Sequence, residues 1–378
     1  MSTTVCIAAR TSQYPTGGGH LWVYLNWALG LRSLGCRVIW LERMGCDEDA
    51  PEPARLAVEA LHGRLARYGL GDALALASWT GERLPAAVSG PCLDLDAATE
   101  ADLLLDMEYE TPSDVIRRFR RSAHVDTDPG LLQFWMARGA IRLAPHDLYF
   151  TTGETVGRPE ARFPDGGVFW HYAPPCIALD WWPPHAAPSD APFTTVSHWY
   201  MDQWVVENDD SYYANDKRDG FLPFLDLPRR TSMPLELALN LGGDPVEKAA
   251  LEARGWRIRE SRDVAGTPWD YQRYVHESRG EFSCVKPHCI RLQNAWISDR
   301  TLCYLASAKP AVVQNTGPSR FLPDAAGLFR FSTIEEAARS LETVCRDYEA
   351  QCRLARTLAE EHFDARKVTA AVLERALA

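Results

Sequence analysis

The stretch Thr11–Gly35, TSQYPTGGGHLWVYLNWALGLRSLG, decides the fold. Upstream, Thr3–Ala9 (TTVCIAA) is a short β-branched and apolar run, the pattern of a buried strand. After the three glycines, LWVYLNWALGLRSLG carries apolar residues at helical spacing and ends on Gly35, a good C-cap. Cys36–Arg43 (CRVIWLER) then reads as a second strand. Strand, glycine turn, helix and strand make a βαβ unit, which predicts a parallel α/β sheet.

Outward from this unit the alternation continues. GPCLDLD (90–96), SAHVDTD (122–128) and DLYFTTG (147–153) are expected as further strands of the same sheet. Six prolines fall between Pro174 and Pro192, too many for one regular element, and this stretch is expected to join two domains. FTTVSHW opens a second series of strands with PLELALN, WRIRES, GEFSCVK, PAVVQN and GLFRF. From Ile334 the chain is amphipathic and helical to its end. The expected division is 1–175, a linker at 176–192, a second domain at 193–345, and helices at 346–378.

With 378 residues, 46% hydrophobic and 24% charged, the sequence has the composition of a globular protein of two domains. It contains no apolar run near the roughly 20 residues that span a bilayer, and its start lacks the pattern of a secretory signal. The ten cysteines form no CxxC pairs, which predicts reduced thiols in a cytoplasm and no zinc site of that kind. A net charge of −11 argues against nucleic acid as a partner.

Gly17, Gly18 and Gly19 at a strand-to-helix turn suit a phosphate or a close-packed sugar, or simply a tight turn. Trp22 occupies a position where a dinucleotide fingerprint needs a small residue, and the Gly-Lys of a Walker loop is absent. Glu42 is the single candidate for the acidic residue that a nicotinamide enzyme places after its second strand. His20, where the turn enters the helix, suits a general base oriented by a carboxylate, or a helix-start hydrogen bonder. Asp126 and Asp128 end a presumed strand, where open α/β sheets keep their ligands. Three readings stand: a divalent metal site, an orienting partner for His20 or the acceptor, or a cap on the Pro129–Gly130 turn.

Lys217, Lys286 and Arg300 are cations in or beside loops of the second half, and the sequence holds only five lysines. Ser298 and Asp299 are placed to start a helix, and Asn315, Thr316 and Gly317 form a polar turn after PAVVQ. Cations around a helix N-terminus suit a diphosphate; the alternative is an ion pair of Asp299 with Arg300 or Lys286. Trp199, Trp204 and Trp296 suit sugar stacking, or belong to the core as most tryptophans do.

Taken in order, GGGHLWVYLNWALGL, HVDTDPG, YFTTGETVG, GEFSCVKPHCIRLQNAWISDRTLCYLASAKPAVVQNTG and LAEEHFDARKV resemble a family of bacterial GT-B glycosyltransferases over most of the chain. The resemblance implies two Rossmann-like domains facing across a cleft, with the last helix crossing back to the first domain. It implies an acceptor side with His20, Asp126 and Asp128, and a nucleotide-sugar side with Lys217, Lys286, Arg300 and their neighbouring loops. No metal and no cofactor are implied beyond the nucleotide-diphosphate sugar as co-substrate, with a small natural product or glycan as acceptor. A nucleotide-sugar epimerase and an inactive nucleotide-binding auxiliary protein are the rival expectations. Relatives read Gly-Trp-Phe-Ser-Asp-Arg-Ser where this chain has Ala295–Thr301, Gly-Glu-Asn at Gly153–Thr155, and Gly-Arg-Pro at Ala308–Pro310.

Overall fold

The computed structural model describes residues 3–45, 50–79, 84–201, 204–208 and 211–378, without the side chains of 204, 206–208 and 211–213. Two compact units emerge. The first comprises 1–152, 164–178 and 365–378, and the second 153–163 and 179–364.

The first unit is built on strands β1 (Thr4–Ala9), β2 (Arg37–Arg43), β3 (Leu74–Ala77), β4 (Leu103–Asp106), β5 (Ser122–Asp126), β6 (Leu148–Thr151) and β7 (Trp170–Tyr172). They lie in the order β3-β2-β1-β4-β5-β6-β7, and every pair is parallel. A parallel sheet is covered on both faces, so its strands are apolar throughout rather than alternating: Val5 to Ala9 and Leu103 to Leu105 are all essentially without solvent contact. The chain turns from one half of the sheet to the other between β1 and β4, and there open α/β sheets bind ligands, beyond the strand carboxyl ends.

Sequence expectation and structure part company at GPCLDLD. It is not a strand: Asp94 caps a short helix, Leu95–Ala98, its carboxylate accepting from the Ala97 amide at 2.9 Å. The strands of that region are LALA (β3) and LLLD (β4), whose leucines and alanines carry no β-branched signal.

The second unit holds β8 (Phe193–His198), the antiparallel pair β9 (Trp204–Asn208) and β10 (Ser211–Ala214), then β11 (Leu235–Asn240), β12 (Arg257–Glu260), β13 (Gly280–Ser283), β14 (Ala311–Gln314), β15 (Ala325–Ala326) and β16 (Leu328–Phe331). Its main sheet runs β12-β11-β8-β13-β14-β16-β15, parallel except for β15, and it reverses direction between β8 and β13. Phe193, Phe221, Phe224, Trp256, Phe282 and Phe331 pack in its core. Trp199 joins them with no solvent exposure, which settles it as a core residue; the Trp204 side chain lies outside the described residues.

The division of the chain differs from the expected 1–175, 176–192, 193–345 and 346–378 in three respects. The expected linker is no separate segment, since 176–178 belong to the first unit and 179–192 to the second. Segment 153–163 belongs with the second unit because the buried Glu154 carboxylate accepts from Ser319 Oγ (2.6 Å) and from the Arg320 amide (2.9 Å) and Nε (2.6 Å). The C-terminal helical run breaks into Ile334–Arg346, Tyr348–His362 and Ala365–Leu377. The middle helix stays with the second unit, held by Gln351 Oε1 on the Gly327 amide (2.8 Å) and Arg356 Nη1 on the Ala306 carbonyl (2.7 Å). Only the last helix joins the first unit. It lies against helix Gly18–Ser33 at Gly30, where an added Cβ would stand 2.8 Å from both the carbonyl oxygen and the Cβ of Ala365.

Candidate active site

In the first unit the loop that leaves the carboxyl end of β1 is held from two sides. Glu42, at the end of β2 and fully buried, accepts from the Thr11 amide (2.6 Å), Thr11 Oγ1 (2.7 Å), the Ser12 amide (2.7 Å) and Trp40 Nε1 (3.2 Å). Its oxygens are spent on the loop, which removes it as a ribose-binding acid. His20 holds the other side through Nε2, 2.9 Å from the Arg10 carbonyl oxygen. A carbonyl is an acceptor only, so Nε2 is the protonated nitrogen and Nδ1 the basic one. The partner that orients this ring nitrogen is therefore backbone, not Asp126 or Asp128. Gly17 precedes the helix, and Gly18 and Gly19 are its first two residues. The glycines thus form the strand-to-helix turn expected of them, at the helix N-terminus.

Asp126 and Asp128 have different surroundings. Asp126 is fully buried at the end of β5 and accepts from Gln133 Nε2 (2.7 Å), Thr151 Oγ1 (2.8 Å) and the Asp128 amide (2.9 Å). Burial pushes its carboxyl up to about 7 despite these bonds. It organises the turn into helix Leu131–Ala137, close to the capping reading. Asp128 is exposed and accepts from Tyr109 Oη at 2.7 Å.

One carboxylate here escaped the sequence reading. Glu108 follows β4 by two residues, is 2% exposed, and neither of its oxygens has a hydrogen-bond partner. Burial pushes it up to about 7, with Arg10 opposing that shift. An unpartnered buried acceptor beside the reversal of strand order is a candidate to face a ligand, since buried polar atoms are as a rule satisfied. The signal for it was LLLD: read as a strand, it would have put Glu108 at the sheet's ligand end.

In the second unit the cations expected from sequence do converge at the carboxyl ends of β8 and β13, with different duties. Arg300 donates to Glu281 Oε1 (2.8 Å), Ser283 Oγ (2.6 Å) and the Val196 carbonyl (3.2 Å). Its guanidinium is a pin across the β8–β13 junction, so the expected phosphate contact gives way to a buried ion pair with Glu281, a residue the sequence reading passed over. Lys217 is buried and donates to the Cys284 carbonyl at 2.6 Å. Burial, then Arg300 and Lys286, push its ammonium down to about 7. Its helix, Lys217–Phe221, sits so close to the segment that follows β13 that a Cβ on Gly220 would fall 1.8 Å from the Val285 carbonyl oxygen. Lys286 is half-buried at the start of helix Pro287–Leu292, and burial, then the nearby Lys286 ammonium, lower the pKa of His198 at the end of β8.

Ser298 caps helix Asp299–Ala306, its Oγ accepting from the Arg300 amide at 3.3 Å. The turn at Asn315, Thr316 and Gly317 is committed to architecture. Asn315 Oδ1 accepts from the Gly317 amide (2.9 Å), Thr316 Oγ1 donates to the Trp296 carbonyl (2.6 Å), and the Thr316 carbonyl accepts from the Ala295 amide (3.0 Å). These bonds fix the half-buried Trp296 beside Ser298.

No family model and no curated protein matches this sequence. Among solved structures it is similar to sucrose-phosphate synthase from Thermosynechococcus elongatus, with 10% identity, a TM-score of 0.59, and 99% of this chain and 98% of that one covered. It is also similar to HepE of Anabaena in complex with UDP and glucose (12% identity, TM-score 0.57, 99% of both chains). A third is an alpha-glucosyltransferase in complex with UDP-glucose and DNA containing an abasic site (10% identity, TM-score 0.59, 100% of both chains). The fold is GT-B.

Within this GT-B chain two of the departures from the relatives' motifs acquire a physical meaning. Ala295 and Ala308, where the resemblance leads one to expect glycine, both have left-handed backbones, with φ of 54° and 56°. Glycine adopts that backbone freely, and alanine holds it at a cost of about 1–2 kcal/mol per site.

Among the described residues, no helix is long and apolar enough to cross a membrane, and the nine cysteines carry free thiols.

Proposed function

We propose that this protein is a glycosyltransferase that moves a hexose from a nucleotide-diphosphate donor to a small-molecule or glycan acceptor, without a metal at the diphosphate. The supporting observation is the crowding of Lys217, Lys286 and Arg300 at the carboxyl ends of β8 and β13, where Glu281 pairs with Arg300. Two like-charged ammonium groups held there, one of them buried, lower the free energy of a bound diphosphate. They act more strongly still as its bond to the sugar breaks and charge develops on the leaving oxygen.

On the first unit we assign His20, through Nδ1, to accept the acceptor's proton, and Glu108 to bind an acceptor hydroxyl. Asp126 keeps a positioning role in the turn that carries Asp128. UDP is the nucleotide in several solved neighbours, which makes it the first donor to try. One neighbour is bound to DNA, but the net charge of −11 on this chain favours an acceptor other than nucleic acid. Free thiols suit a cytoplasmic protein, and a natural-product pathway suits the small acceptor.

A thermal-shift panel of UDP, GDP, TDP, ADP and CDP, each with and without EDTA, tests the reading. One diphosphate at about a hundred times its Kd is expected to add about 2.7 kcal/mol, a midpoint shift of several degrees, by the same amount in both conditions. No shift with any of them overturns the donor assignment. A shift that needs a divalent metal overturns the metal-free reading. Turnover of the nucleotide-sugar without acceptor identifies an epimerase instead, and binding without any turnover an auxiliary protein.

A further inference from the structure

Behind the ligand end of the first sheet lies a group of side chains that the transferase reading does not use. Asp106 ends β4 and His124 lies in β5, and the register of the two parallel strands places them side by side. Residues paired across neighbouring strands project from the same face. His146 enters from the loop before β6. The side chains of Asp106 and His146 are 1% and 0% exposed, and His124 is wholly buried. One ligand atom from each residue lies within 4.8 Å of the other two.

The hydrogen bonds around this group have the polarity of a metal site. His146 Nδ1 lies 2.8 Å from the Ala144 carbonyl oxygen, so Nδ1 carries hydrogen. That leaves Nε2 facing Asp106 Oδ2 at 3.0 Å. Two acceptors pointed at one another call for a proton or a metal ion between them. Two atoms this close can both be bonded by one ion at about 2.0–2.2 Å, at an angle narrower than the tetrahedral one. The other oxygen of Asp106 accepts from the Glu108 amide and from Thr111 Oγ1, each at 3.0 Å. Metal-bound carboxylates and imidazoles are oriented by such partners. His124 supplies the second, independent sign: neither of its ring nitrogens has a hydrogen-bond partner, although the residue is fully buried. An unsatisfied buried group is costly, and a metal bond satisfies the lone pair.

We propose that Asp106, His124 and His146 bind one divalent transition-metal ion, with zinc the best match, inside the first unit. Two imidazoles and a carboxylate suit zinc or cobalt over calcium or magnesium, which take oxygen ligands. Enclosed on all sides, the ion ties β4, β5 and the loop before β6 together. It is separate from any metal at the diphosphate, and the proposal does not depend on the transferase reading.

Cobalt titration of the chelator-treated, thiol-blocked full chain tests it by visible absorbance, with zinc competition and elemental analysis for stoichiometry. The expected result is about one ion per chain, no near-ultraviolet thiolate band, and displacement by zinc. His124→Asn and His146→Asn are expected to weaken binding more than about 100-fold, and Thr111→Val, which removes only an orienting bond, by about 10-fold. Near-ultraviolet circular dichroism of the metal-free variants checks that they fold. If they do not, the stoichiometry and spectrum of the unmodified chain decide. Failure of that chain to take up a stoichiometric ion, thiolate ligation, or binding that survives both histidine variants overturns the proposal and leaves an aspartate–imidazolium pair.

Discussion

The ammonium of Lys217 donates to the carbonyl oxygen of Cys284 at 2.6 Å, just past the end of β13, the strand that also carries Glu281 of the Arg300–Glu281 ion pair. The same few residues thus hold one cation that is neutralised and one that is not, and the two respond differently to pH and to substitution.

Lys217 has its pKa pushed down to about 7 from an ordinary 10.5. The unfolded chain therefore binds the proton more readily over the interval from about 7 to 10.5, and stability contributed by this group rises with pH across it. Below pH 7 the folded protein bears the full cost of a buried charge. Diphosphate binding has the opposite sign, because the anion favours the charged form. Calorimetric titration with the responsive diphosphate at pH 6.5 and 8.5 is expected to give tighter binding and less proton uptake at the lower pH. Lys217→Met should flatten both dependences; a Kd that is the same at the two pH values removes Lys217 from the diphosphate.

Arg300 and Lys286 separate structure from binding. Arg300→Leu leaves Glu281 charged and wholly buried, and is expected to cost about 3–5 kcal/mol in urea unfolding. Lys286→Ala should change stability by no more than about 0.5 kcal/mol while weakening the diphosphate at least about tenfold, the loss of one charge-assisted bond.

On the first unit, His20→Ala is expected to lower turnover by about 10²-fold or more, the usual share of a general base, with diphosphate affinity unchanged. Glu108→Gln should raise the acceptor KM more than it lowers kcat. Steady-state kinetics with both substrates varied reads the split, and an equal loss of diphosphate affinity in His20→Ala would count against its role.

Ala308 and Ala295 make opposite tests of one strain. Ala308 is half-buried, so Ala308→Gly relieves its left-handed backbone at little loss of packing and should stabilise by about 0.5–1 kcal/mol. Ala295 is 3% exposed, and the lost methyl, worth about 0.8 kcal/mol, cancels most of the gain from Ala295→Gly. Shifts in urea midpoint with unchanged slope measure both.

Gly30→Ala replaces a poor helix former with the best one, yet is expected to destabilise by about 1–3 kcal/mol because the new methyl meets Ala365. Loss of hydrogen-exchange protection should concentrate in Ala365–Leu377.

Local chemistry alone determined a good part of this protein. The apolar run Thr4–Ala9, the glycine start and the 3.6-residue pattern to Ser33 specify a βαβ unit because each signal is complete within a few residues. Ser298 as a helix cap was legible for the same reason. What the tertiary structure decided is whatever depends on burial and on partners distant in sequence. LLLD becomes a strand because β1 and β5 flank it, against the propensity of leucine. Arg300 becomes a structural pin because Glu281, 19 residues away, lies buried beside it. Of the two readings of His20, a base oriented by a carboxylate or a helix-start hydrogen bonder, the structure shows a bond to the Arg10 backbone carbonyl, since the turn folds back on its own helix. Asp106, His124 and His146, up to 40 residues apart, share a face only because parallel register aligns two of them and a loop delivers the third. A charge or an imidazole in a sequence carries no record of its solvent exposure, and exposure decides whether it is a surface group, a pin or a ligand.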